Sequence, residues 1–203
     1  MRIYDEFPEI TNIKAKILKK QSKNNISQVI LDKTIFMPEN NVLLNDSALI
    51  DGKKVLSVRE KNNDIIVAFD GTTSKSIVEL EINKKIRRKN LSYNTAFILF
   101  SMIFKRFYGK NKLTLCLNDK YSYISIDNFT GDLDKDLFEK FINYAIFSGL
   151  KIKKDENLVV IDALGKVENN YICFDNTYKI ISFTIESIKK DNFKLEVYIN
   201  VGK

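Results

Sequence analysis

Between residues 10 and 82 the chain alternates apolar and polar positions in short runs, each stopped by a pair suited to a tight turn. Runs at 10–18, 27–31, 47–50, 54–58, 65–69 and 76–82 read as strands, and Asp51-Gly52, Asn62-Asn63 and Asp70-Gly71 read as their turns. Strands this short and this evenly spaced predict a small, partly closed antiparallel barrel. After residue 84 the period changes to that of a helix. Ala96, Leu99, Phe100, Ile103 and Phe107 then share one face, which predicts a helix over 84–107 that Gly109 ends. A hairpin is expected from 113–117 and 121–126 around Asn118-Asp119-Lys120. Asp134 suits the N-cap of a second helix with the stripe Leu137, Phe138, Phe141, Ile142 and Ala145, closed by Gly149. Strands follow at 158–161, 171–174, 180–188 and 193–201. The expected fold class is α+β, with a barrel-like domain over 1–90, an α+β domain over 91–203, and the long helix packed between the halves.

Composition narrows the setting. Two prolines and seven glycines in 203 residues leave no flexible linker, and no segment repeats or is of low complexity. Cys116 and Cys173 fit a reducing compartment. The start, Met-Arg-Ile-Tyr-Asp-Glu, turns acidic and lacks the apolar core of a secretory signal. The longest apolar stretch, 96–104, is interrupted by Ser101 and is too short to cross a bilayer. The expectation is a cytoplasmic protein without a membrane partner.

Charge adds a partner class. The formal net charge of +7 favours a polyanion such as RNA over a merely soluble role only when the cations cluster. They do in Lys84-Lys85-Ile86-Arg87-Arg88-Lys89, at the start of the long helix, where positive charge opposes the helix dipole. Lys84, Lys85, Arg87, Arg88 and Lys89 are therefore the candidate RNA-binding residues, a solvated charged turn being the other reading. Lys14, Lys16, Lys19, Lys20 and Lys23 form a second basic strip, and Tyr93 and Tyr108 are either stacking surfaces or core caps.

The chain contains no histidine, which excludes Ser-His-Asp and Cys-His catalysis. Acid–base work would fall to carboxylates, lysine or tyrosine. No phosphate loop, dinucleotide fingerprint or EF-hand is present.

Residues 31–39, Leu-Asp-Lys-Thr-Ile-Phe-Met-Pro-Glu, and Tyr93-Asn94-Thr95-Ala96 at the start of the apolar helix carry a family resemblance. The chain resembles the alanyl-tRNA editing proteins, free-standing relatives of the alanyl-tRNA synthetase editing domain. Asp32, Thr34, Phe36, Pro38, Glu39 and Asp46 match the family pattern without a gap, and Arg88, Leu91 and Asn94 stand before and at its histidine. The resemblance implies a barrel followed by an α+β sandwich of the threonyl- and alanyl-tRNA synthetase editing type. It also implies descent from an enzyme that hydrolyses mischarged seryl- or glycyl-tRNA, with Thr34, Glu39, Asp46, Asn94, Thr95 and Asp175 lining the ancestral pocket. Strand-surface threonines and turn carboxylates are the other reading of those residues.

The functional motifs depart from the family. Its zinc is held by His-x-x-x-His on the helix and Cys-x-x-x-His near the C-terminus, so that a bound water is acidified to attack the ester. Here the helix positions are Asn94 and Ile98, and after Cys173 the run Phe174-Asp175-Asn176-Thr177 is shortened past the last histidine. The family's glycine loop becomes Asn40-Asn41-Val42-Leu43, which turns a polar lip apolar. The expectation is therefore no zinc and no other cofactor, with Asn94, Ile98 and Cys173 as vestigial positions. Catalysis is expected to be lost and tRNA or other RNA binding to be what remains. Two other classes stay open: a zinc-independent aminoacyl-tRNA hydrolase, and an interaction module using Val42-Leu43-Leu44 in a homo- or hetero-oligomer.

Overall fold

The computed structural model describes residues 1–118, 120–191 and 193–202. Its residues fall into two compact units, Met1–Asn41 with Asn45–Lys89, and Val42–Leu44 with Asn90–Lys203. Among the described residues no helix is long and apolar enough to cross a membrane.

The first unit opens with a helical turn α1 (Ile3–Glu6) and then builds a barrel from β1 (Asn12–Lys23), β2 (Ile26–Leu31), β3 (Ala48–Ile50), β4 (Lys53–Lys61), β5 (Asp64–Asp70) and β6 (Ile77–Ile82). The order is β1-β2-β5-β4-β3-β6, closed and antiparallel throughout. Closure rests on β1, whose first part pairs with β6 and whose last part pairs with β2, with a register shift between Ile17 and Lys19. Such a bulge bends the strand from one neighbour to the other. Alternate side chains point inward, so Ala15, Val29, Val67, Phe69, Val78 and Leu80 are almost fully buried. Turns at Asn24-Asn25, Asp51-Gly52 and Asn62-Asn63 have positive φ at both central residues, the geometry whose twist matches flanking strands.

Helix α2 (Lys84–Tyr108) begins where Asn83 Oδ1 accepts from the backbone N–H groups of Lys85, at 2.9 Å, and Ile86, at 3.2 Å. It is more than amphipathic. From Asn90 to Phe104 only Tyr93 and Phe97 escape full burial, so Asn90, Ser92, Asn94, Thr95 and Ser101 are interior polar groups.

In the second unit, β7 (Leu113–Leu117) and β8 (Ser122–Asp127) form the expected hairpin; Asp119, at its predicted tip, lies outside the described residues. Helix α3 (Lys135–Phe147) is capped by the Asp134 side chain, which accepts from Leu137 N–H at 3.0 Å. Its buried face is Phe138, Ile142, Ala145 and Ile146, whereas Leu137 and Phe141 of the predicted stripe stay about 40% exposed. A small sheet, β11-β10-β9, holds β9 (Ile152–Asp155), β10 (Leu158–Ile161) and β11 (Gly165–Glu168). The run 171–174 is not a strand, a correction whose reason is that its polar groups bond to α2 instead, as described below. A 3₁₀ turn at Thr177–Ile180 leads into β12 (Phe183–Asp191) and β13 (Lys194–Val201), giving a four-stranded antiparallel sheet ordered β12-β13-β8-β7.

Leu115, Ile124, Ile126, Leu195, Val197 and Ile199 form the buried side of this sheet. An aromatic cluster joins it to both helices: Phe100 of α2 lies 5.3 Å from Phe138 of α3 and 6.4 Å from Phe183 of β12, centroid to centroid. Tyr108 belongs to that cluster, 5.0 Å from Phe104 and from Phe129, and its hydroxyl donates to Asp132 O, so it is a core cap and not a stacking surface. The protein is thus a mixed α+β chain with a closed six-stranded barrel, further sheets and helices, as the editing-type resemblance implied.

Candidate functional site

The first turns of α2 gather the positions at which the chain departs from the family pattern. Asn94 is completely buried. Its Nδ2 donates to Asn169 Oδ1 at 3.0 Å and to Ile172 O at 2.9 Å, and Asn169 Nδ2 donates back to Asn94 Oδ1 at 3.1 Å. The two amides form a closed ring of hydrogen bonds, each supplying a donor and an acceptor to the other. Asn169 Oδ1 also accepts from Tyr171 N–H at 3.0 Å. One residue on, Thr95 Oγ1 donates to Leu91 O at 2.6 Å and accepts from Phe174 N–H at 3.0 Å. Asn94 and Thr95 together therefore hold the irregular segment 169–174 against α2. Both amide hydrogens of Asn94 and the hydroxyl hydrogen of Thr95 are spent within the protein.

These residues do not fit zinc. Ile98 is fully buried and has no donor atom. The amide of Asn94 is spent on its pair. Cys173 is buried, and burial pushes its thiol up to about 11, so it is protonated at neutral pH while metals bind thiolates. Among the described residues no group of three or more His, Cys, Asp or Glu side chains is placed to hold a metal ion.

The thiol carries a prediction. Its folded-state pKa is raised, so the fold favours the protonated form, and stability should fall as pH climbs from about 9 towards 11, by up to about 3 kcal/mol. Urea midpoints for the wild type and Cys173→Ala across that interval check it. The variant should lack most of the alkaline decline.

The other predicted pocket residues lie apart from this lock in role. Thr34 is buried, and its Oγ1 accepts from Phe36 N–H at 3.0 Å, closing a local turn. Glu39 and Asp46 line one cleft of about 100 Å3 on the barrel, with Phe36, Met37, Val55 and Ser57. Of these two carboxylates Glu39 is exposed and Asp46 is not. Asp175 is also exposed, its carboxylate 2.8 Å from Lys179 Nζ one turn on. Of the six residues expected to line a pocket, Thr34, Asn94 and Thr95 are buried and committed to hydrogen bonds within the protein. The reason is burial, which obliges each polar side chain to find a protein partner.

Asp46 is committed as well. Arg87 is 1% exposed, and its Nη2 lies 2.5 Å from Asp46 Oδ2. Nη1 donates to Pro8 O at 2.9 Å and Nη2 to Ile35 O at 2.7 Å, so one guanidinium ties together three segments of the first unit. Arg87 is thus corrected from the RNA-binding set to an interior tie. Lys84, Lys85 and Arg88 are exposed and Lys89 is half-buried. A wider groove of about 500 Å3 opens on the same unit between Lys54, Glu81 and the helix cap Asn83.

The altered loop is also pinned. Asn90, with no exposure, accepts from Leu44 N–H through Oδ1 at 2.9 Å and donates to Leu44 O through Nδ2 at 2.8 Å. Leu43 is 4% exposed. Of the apolar lip expected from Val42-Leu43-Leu44, Leu43 is interior while Val42 and Leu44 are half-buried. Sequence reasoning missed Asn90, Asn169 and Asn83. Asn83 carried the signal of an amide next to a helix start, whereas Asn90, inside α2, and Asn169, just after β11, carried none in an asparagine-rich chain.

Geometry and comparison agree on the class. The alanyl-tRNA editing protein AlaX-L of Pyrococcus horikoshii is 26% identical over 166 residues, which covers 76% of this chain and 40% of that protein. The alanine–tRNA ligase of Methanococcus aeolicus is 31% identical over 108 residues, covering 51% of this chain and 11% of the ligase. No family model matches the chain. These similarities show that the protein is related to the alanyl-tRNA editing family, while it spans less than half the length of each relative it matches.

Proposed function

We propose that this is an editing-fold protein that has given up zinc-dependent ester hydrolysis and kept RNA binding, with the acceptor end of a tRNA as the ligand. The observation that carries the reading is the closed amide pair of Asn94 with Asn169, which fills the first ligand position of the ancestral zinc with two satisfied neutral groups. The relatives' names supply the substrate class. The exposed Lys84, Lys85 and Arg88, at the entrance to α2, supply the cations for phosphate. One observation favours the zinc-independent hydrolase as a second reading: Glu39 remains exposed at a cleft, where a carboxylate is able to act as a general base.

Three measurements on one preparation test the reading. Elemental analysis should give well under one zinc per chain. Binding of tRNA should weaken steeply with salt, and Lys84→Ala with Lys85→Ala should flatten that slope by about two. Seryl- and glycyl-tRNA bearing alanine identity should not be deacylated above background. Restoring histidines with Asn94→His and Ile98→His should yield weak zinc binding and negligible deacylation, because the loop and the groups that orient each imidazole are absent. Stoichiometric zinc that depends on Cys173, or turnover that Glu39→Gln abolishes, would overturn it.

A further inference from the structure

The four-stranded sheet buries one side against the aromatic cluster and the two helices. Its other side carries three tyrosines and two lysines that neither the fold nor the site described above uses. Tyr123 of β8 and Tyr198 of β13 are register partners, so their side chains leave the same side of the sheet. Their ring centroids are 5.2 Å apart, and Tyr121, which immediately precedes β8, lies 6.1 Å from each. Tyr121 is 53% exposed. Lys189 Nζ sits 4.6 Å from the centroid of Tyr198, and Lys194 Nζ sits 5.9 Å from that of Tyr123.

Two features show that the cluster is held in place. Cys116 of β7 is the register partner of Tyr123 on its other side, and the neighbouring thiol pushes the Tyr123 hydroxyl well above the usual tyrosine range. Glu196, in the next row, accepts from Lys194 Nζ and from Tyr198 Oη, each at 3.0 Å. That carboxylate is neutralised locally and fixes the tilt of the Tyr198 ring. The rings are thus set by their neighbours, with Tyr121 exposed and Tyr123 and Tyr198 half-buried.

The chemistry points to one occupant. Flat aromatic faces accept any base by stacking, and ammonium groups beside them accept the phosphates that follow each base. A four-stranded antiparallel sheet with helices on one side and aromatic rings on the open side is also a geometry that reads unpaired nucleotides and not duplex. A proline-rich peptide is the competing occupant of an aromatic surface. The two lysines at the rings, in a chain of net charge +7, favour the ligand that carries phosphate. We propose that Tyr121, Tyr123 and Tyr198, with Lys189 and Lys194, form a base-stacking subsite for unpaired nucleotides. The subsite is separate from the basic run at the start of α2. Asp127, opposite Lys194 in the register, and Glu196 keep its affinity modest and its salt dependence shallow.

The probe is a short fluorescein-labelled oligouridylate, alone and annealed to its complement, titrated with the full chain. The wild type should bind the single strand more tightly than the duplex. Tyr121→Leu and Tyr198→Leu, checked for folding by circular dichroism, should each weaken single-strand binding roughly tenfold, and Tyr121→Phe should retain it because stacking needs the ring and not the hydroxyl. Lys84→Ala with Lys85→Ala should leave the preference for single strands intact, so this subsite and the basic run fail separately. The proposal is overturned if the folded leucine variants bind like the wild type, if the duplex binds better, if the oligouridylate does not bind, or if a proline-rich peptide alone occupies the rings.

Discussion

Replacing Arg87 with methionine should destabilise the protein by about 3–5 kcal/mol, the range for breaking one side of a buried ion pair. The physical reason is what remains. Asp46, 5% exposed at its side chain, would keep a carboxylate without its guanidinium, and the carbonyl oxygens of Pro8 and Ile35 would lose their donors. Arg87→Lys should recover little, since one ammonium cannot reproduce a planar group that serves a carboxylate and two carbonyls at once. Asp46→Leu combined with Arg87→Met should recover part of the loss by removing the stranded charge, though the two carbonyls stay unpaired. Urea unfolding of the wild type, Asp46→Leu, Arg87→Met and their double variant, read as a double-mutant cycle, with Arg87→Lys measured beside it, gives each step. A single variant within about 1 kcal/mol of the wild type would mean that the guanidinium is not the tie described here.

Asn94→Ala should cost about 3 kcal/mol. It removes three hydrogen bonds and strands the amide of Asn169 and the carbonyl of Ile172 in the interior. Asn169→Ala should cost a similar amount, and the double variant should cost less than the sum, with about 1–3 kcal/mol of coupling. Asn94→Asp separates hydrogen bonding from shape. It keeps the size of the side chain but turns its donor into an acceptor opposite Asn169 Oδ1 and Ile172 O when ionised. Its folded-state pKa should be raised, so the variant should regain stability as pH falls below neutrality and lose it again as pH rises through that value. Coupling near zero, or an Asn94→Asp variant insensitive to pH, would show that the two amides do not act as a unit.

Both expectations concern residues whose roles were only half visible beforehand. Asp46 and Asn94 stood out through family resemblance, as lining residues of a pocket. Arg87 stood out through charge, as one of five cations for RNA. In the structure all three are interior. A run of basic residues on a helix shows that cations are near one another, yet a helix turns each successive residue by about 100 degrees, so one member of the run points inward. Which one it is depends on where a carboxylate waits, and Asp46 lies 41 positions away in sequence.

What the sequence by itself determined is local. Period two before residue 82, period 3.6 after residue 84, the Asp51-Gly52 and Asn62-Asn63 turns and the Asp134 cap each depend on neighbours a few positions away, and the structure carries them; Asp70-Gly71 is instead the start of a longer connection, because β5 and β6 are not neighbours in the barrel. Helix α2 and strands β7 and β10 lie within a residue of where the pattern puts them. The absence of histidine was equally plain. What only the tertiary structure decided is which polar residues are spent on the fold. Asn94 and Asn169 are 75 positions apart, Thr95 and Phe174 are 79 apart, and Asn90 and Leu44 are 46 apart. An asparagine reads the same at every position until burial removes its water, and its partner is then whichever group the chain's path brings within 3 Å.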